Sequence, residues 1–137
     1  MRAPAFALVL AFASPALAVE ALVERRQAGM KDMDNAMKAL GAVRIGVLPY
    51  SPALVSRAAG VLAEGAEAMR LQFPPGSEGG KAAPLLWEDR ARFDAMTGDL
   101  AAAAARLAAA EGEEAALEAA ERVAETCIAC HEPFRRR

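Results

Sequence analysis

Cys127-Ile128-Ala129-Cys130-His131 closes a long run of helix-forming residues in which Leu117, Ala120, Ala124, Cys127 and His131 repeat at helical spacing along one seam. Cys-x-x-Cys-His is the attachment signature of c-type haem: two thiols add across the porphyrin's vinyl groups while the next residue reaches the iron. On a helix the two cysteines share a face and His131 follows within the same turn. The seam therefore predicts a helix whose attachment residues point inward, and neighbouring helices to receive them.

Other uses of the pair fit less well. A thioredoxin-type redox pair opens a helix after a strand in a βαβ unit, whereas this one ends an Ala/Glu-rich helix. A structural zinc site needs four ligands, and the two cysteines and one histidine of this motif are all the chain contains. A disulfide between Cys127 and Cys130 remains open for a chain without cofactor.

Upstream, Glu113 and Glu114 place negative charge at the start of this last helix, D, where the helix dipole favours it. Glu111-Gly112 separates it from helix C, expected from Ala83-Pro84 to about Ala110, with Phe93, Met96, Leu100, Ala103 and Leu107 as its seam. The stretch from Phe73 to Gly80 concentrates prolines and glycines and reads as a loop. Before it, Ser51-Pro52 is an N-cap with proline at the first helical position, so helix B runs to about Gln72 on Leu54, Ala58, Val61, Leu62, Ala68 and Met69. Helix A spans Glu20 to about Val47, with Arg26, Met30, Met33, Met37 and Leu40 spaced by four and three. Four helices, short connections and no strand-like alternation predict an all-α fold, an antiparallel four-helix bundle carrying the haem c attachment motif at its C-terminal end. Runs such as Ala101 to Ala105 let helices approach closely.

The first residues have a different character. A basic start at Arg2, an apolar run from Ala5 to Ala13 and the small residues of Ala16-Leu17-Ala18 read as a secretory signal peptide, residues 1–18, followed by one domain, residues 19–137. The apolar run is too short to span a bilayer and no later segment suits one, so no membrane span is expected. Export fits covalent haem attachment in the periplasm, an oxidising compartment. A formal net charge of −2 gives no footing for nucleic acid.

With its haem motif at the end of a four-helix pattern, the chain resembles the class II cytochromes c, the cytochrome c prime family. Besides the position of the motif, the resemblance rests on Arg26-Gln27-x-x-Met30, the Pro-Gly-x-x-Gly-Gly loop from Pro75 to Gly80, the segment Trp87 to Phe93, and Cys-x-x-Cys-His-x-x-Phe-Arg from Cys127 to Arg135. It implies one covalent haem c, with His131 as proximal iron ligand and Arg135 near the haem edge. Met30 aligns with the residue on the other face of the iron. In the low-spin branch, which Met30 and its neighbours resemble more, a methionine there ligates the iron and the protein carries electrons to and from redox partner proteins. In the open-site branch the residue only covers a position that binds nitric oxide or carbon monoxide.

A thioether suits haem iron and favours its ferrous form, and bis-histidine ligation lacks a second histidine. Methionines at this spacing are also ordinary core filling, the reading for Met33 and Met37, although Met33 could replace Met30 if the register is shifted. Arg26, one turn before Met30, reads either as a donor to a haem propionate or as a solvated arginine. Trp87 reads as the anchor of helix C rather than a haem contact. Pro133 should kink or finish helix D. Arg135, Arg136 and Arg137 either dock an acidic partner or fray. A homodimer could form through helices A and B, although both seams are largely committed to the internal core. The expectation is an electron carrier and not an enzyme.

Overall fold

A computed structural model of the chain describes residues 14–136. Five helices follow one another: α1 Pro15–Arg44, α2 Pro52–Leu71, α3 Leu85–Glu88, α4 Arg90–Ala108 and α5 Glu113–Phe134. The four long ones form the bundle. Among the described residues the β-structure is limited to an isolated bridge between Ala82 and Arg135, and no helix is long and apolar enough to cross a membrane. Most of the expected leader lies outside the described residues; its end, residues 15–18, forms the exposed first turn of α1.

Helix α1 stops three residues before the expected Val47. Gly46 adopts φ +73°, and the amides of Gly46 and Val47 return to the carbonyls of Val43 and Ala42, closing the last turn with the glycine-dependent cap that ends many helices. At the start of α2, Ser51 accepts from the Leu54 amide and Pro52 takes the first position, as anticipated.

The expected helix C is two pieces. Asp89, at φ −117° and ψ 61°, leaves helical geometry and uses its own carboxylate to accept from the Arg92 amide, so it ends α3 and caps α4 in one residue. Helix α5 ends at Phe134, one residue after Pro133, in keeping with the finish expected there.

Helix α2 packs against α1 and α4, and α4 packs against α5. Leu62, Ala104, Leu107 and Val123 are completely sealed from solvent, and burying each of the two leucines is worth about 1.5–3 kcal/mol. Ala58, Ala59 and Ala66 on α2 and Ala103 and Ala104 on α4 are all buried, so small faces bring these helices close. The buried face of α5 is Ala116, Ala120, Val123 and Phe134, turned slightly from the expected seam, so that Leu117, Ala124 and Cys127 are only half-buried. The remaining seam is different in kind. Helices α1 and α5 run past each other with sparse contact, near one end through the exposed Arg44–Glu121 pair.

Candidate functional site

The sparse seam holds two adjoining cavities. One, about 740 Å³, lies among α1, the 79–82 segment and the end of α5; the other, about 310 Å³, lies deeper among α1, α4 and α5. Both are within the size range of small-molecule and cofactor sites. They share a wall made of Met30, Asp34, Phe93, Cys130 and His131, and Cys127 lines the deeper one.

Cys127 and Cys130 are free thiols, half-buried, and burial pushes both above the ordinary cysteine pKa. His131 is exposed toward the open seam rather than sealed in the core, which corrects the inward orientation read from the seam: the attachment residues face a slot in the side of the bundle. Desolvation by the surrounding chain, and then the charge of Arg135, hold the His131 imidazole below its ordinary pKa. The neutral, ligating form therefore prevails at neutral pH.

Met30 is half-buried on α1, in the wall shared with His131. Met33 and Met37 also line the deeper cavity, with Met69 of α2 and Met96 of α4, so five thioethers surround it. Met33 is nevertheless buried, and its side chain lies over Gly65 of α2: a Cβ there would overlap Sδ and come within 2.7 Å of Cγ.

Arg26 is the largest departure from expectation. It is 5% exposed, not solvated. Its Nε donates to Gln72 O at 2.8 Å, Nη1 to Ser77 O at 2.9 Å and Nη2 to Ser77 Oγ at 2.6 Å, while the guanidinium lies 4.1 Å over the Phe73 ring. Among the described residues no carboxylate lies within ion-pair distance of it. Burial lowers its basicity, and Glu78 restores part. The guanidinium thus pins the 72–77 loop to α1, and Arg26 is also among the residues lining the larger cavity. A buried cation facing a cavity without a carboxylate partner fits an anionic group there.

Two further features support the walls. Phe73, Phe93 and Phe134 form an edge-to-face ladder with centroids 5.2 and 5.6 Å apart, and Trp87 extends it 5.8 Å from Phe73. Trp87 donates from Nε1 to Pro74 O and lines neither cavity, in keeping with an anchor. Gly80, at φ +61°, brings the loop against Val23 so closely that a Cβ would come within 2.9 Å of its Cγ1. Side chains such as Gln27, Lys31, Asp34, Phe93 and Phe134 complete the lining. In the sequence, Gln27 is flagged by the Arg26-Gln27-x-x-Met30 stretch, Phe93 by its helical periodicity and its place in the Trp87 to Phe93 segment, and Phe134 by the Phe-Arg after the motif; nothing marks Lys31 or Asp34 as cavity residues.

A helical bundle with a slot of this size beside Cys-x-x-Cys-His has the donor set of a c-type haem protein. Over residues 21–135 the chain matches the model of the family described as Cytochrome C'. It is 37% identical over 116 residues to cytochrome c-556 of Agrobacterium tumefaciens (strain II Chrys), a match covering 82% of this chain and 95% of that relative. Cytochrome c' of Rhodopseudomonas palustris is 32% identical over 124 residues, covering 88% of this chain and 85% of the relative. The solved structure of cytochrome c' from Rhodopseudomonas palustris superposes with a TM-score of 0.78 at 32% identity, covering 85% of this chain and 96% of the other. A nitric oxide complex of a mutant cytochrome c prime from Alcaligenes xylosoxidans gives 0.81 at 28% identity, with 93% and 99% covered. The chain belongs to the cytochrome c' family, and its cofactor is one covalently attached haem c.

Proposed function

We propose that this protein is a periplasmic electron carrier whose haem c would be held by the sulfurs of Cys127 and Cys130, with His131 and Met30 supplying ligands to its iron. The observation that carries this reading is the shared wall: Met30 on α1 and His131 on α5 border both cavities, from opposite sides of the sparse seam. Haem supplies one-electron chemistry when bound, and the chain supplies ligation, burial and orientation. The imidazole is available because desolvation keeps it neutral. The Met30 thioether is soft and uncharged, so it favours the ferrous state. Arg26 retains guanidinium N–H groups beyond its three loop bonds and offers positive charge to a propionate. Among the described residues, release at residue 18 would remove only exposed ones, 14–18.

A second reading has its own support. The deeper cavity is lined chiefly by thioethers and other apolar groups, and a related cytochrome c prime has been solved with nitric oxide. If Met30 only fills space, the site would take nitric oxide or carbon monoxide. Absorption spectra of the haem-loaded protein, before and after carbon monoxide, separate the two. Under the leading reading the wild type shows low-spin bands unmoved by the gas, and Met30→Ala turns it high-spin and gas-binding. A wild type that is already high-spin and shifts with the gas transfers the conclusion to the second reading.

A further inference from the structure

From Glu132 to Arg136 the chain is tied down and not frayed; Arg137 lies outside the described residues. Phe134 O accepts from the Ala83 amide at 2.9 Å, the Arg136 amide donates to Lys81 O at 2.8 Å, and Ala82 and Arg135 form an antiparallel bridge. These contacts set Lys81, Arg135 and Arg136 side by side at the rim of the larger cavity, which Lys81 and Arg135 line. Lys31 of α1 lines the same cavity, and Arg92 of α4 lies 5.8 Å over the Phe134 ring at its wall. All five side chains are on exposed residues. Asp34, the one carboxylate lining this cavity among the described residues, is paired with Lys38. The rim is therefore locally basic in a chain whose formal net charge is −2.

We propose that this rim is the docking surface for an acidic protein partner, one whose redox centre lies beneath a carboxylate-rich face. The proposal rests on the electron-carrier reading and names the partner class for that site. A chain of negative net charge repels an acidic protein at long range, so productive approach needs an oriented local field of the opposite sign. Lysines and arginines held in register by backbone hydrogen bonds provide one beside the attachment motif. Complementary charge of this kind acts on the association rate and weakens as salt rises.

The test uses the reduced, haem-loaded protein mixed in stopped flow with an anionic oxidant, hexacyanoferrate(III), and a cationic one, tris(phenanthroline)cobalt(III). The expected result is a rate with the anion that falls as ionic strength rises and a rate with the cation that increases, the opposite of what net charge dictates. Lys81→Gln with Arg135→Gln should slow the anionic reaction about tenfold at low salt. Arg57→Gln with Arg106→Gln, an equal change of net charge on exposed residues away from the rim, should leave it nearly unchanged. Poly-L-glutamate, standing for an acidic protein face, should inhibit the wild type with the anionic oxidant and not the rim variant. Equal effects of the two double variants, no inhibition by poly-L-glutamate, or salt dependences that follow the net charge would overturn the proposal. A high-spin, gas-binding spectrum would instead remove the carrier reading, so the two failures are distinguishable.

Discussion

Two glycines in α2 make a matched pair for testing the packing around the deeper cavity. Gly60 is exposed, and an added Cβ there meets nothing within 4 Å; at Gly65 the Cβ would overlap Met33 Sδ and lie within 2.7 Å of Cγ. Replacing a glycine inside a helix by alanine gains about 1 kcal/mol of helix propensity. Forcing a methyl group into a packed site costs about 1–3 kcal/mol. Gly60→Ala should therefore stabilise, while Gly65→Ala should break even or destabilise by up to about 2 kcal/mol, a gap of about 1–3 kcal/mol. For a domain of this size that is about 4–12 °C in Tm. Far-UV circular dichroism melts of the two haem-loaded variants give the number. Met33 already lines the deeper cavity, so a shift of its side chain into it would appear as a changed absorption spectrum in Gly65→Ala alone. Equal rises in Tm with unchanged spectra would refute the reasoning, because Met33 would then not be lodged against Gly65.

The remaining predictions concern Arg26 and the thiols. Arg26→Lys keeps the charge but loses the fork that reaches Gln72 O, Ser77 O and Ser77 Oγ together, so it should cost about 2–3 kcal/mol and open the 73–80 loop to proteolysis; a loss below about 0.5 kcal/mol would place it among ordinary surface changes. In haem-free chain, burial raises both cysteine pKa values and so lowers the thiolate fraction at a given pH. Alkylation of Cys127 and Cys130 by iodoacetamide, followed by mass spectrometry, should then be several-fold slower than in urea. Identical rates in the two conditions would count against the buried setting.

What could be read from the chain was local or periodic. The attachment motif is five adjacent residues, and the caps at Ser51-Pro52 and the loop through Pro74 to Gly80 carry their own turn chemistry, so α2 emerged within a residue of its bounds. The break at Asp89 was legible in principle, since an aspartate three residues before a helical amide is a common cap, but the apolar spacing around it continues through and hid the interruption. The burial of Arg26 had no local signal. Its acceptors lie 46 and 51 residues away on a loop, and an arginine is by default a surface residue. The rotation of the α5 seam has the same origin: alanines flank the true face on both sides, and only the packing of α4 and α1 against them decides which are covered.

If the haem sits as proposed, the seam between α1 and α5 would close on the cofactor and not on side chains. Met30, Phe93 and Phe134 line the larger cavity there, and a haem bound as proposed would cover them. Ligands that bind only the folded state add directly to its stability, and cellular proteases act on what is left unfolded. On that reading, haem binding would add to the stability of the folded chain, and cellular lifetime would follow haem supply.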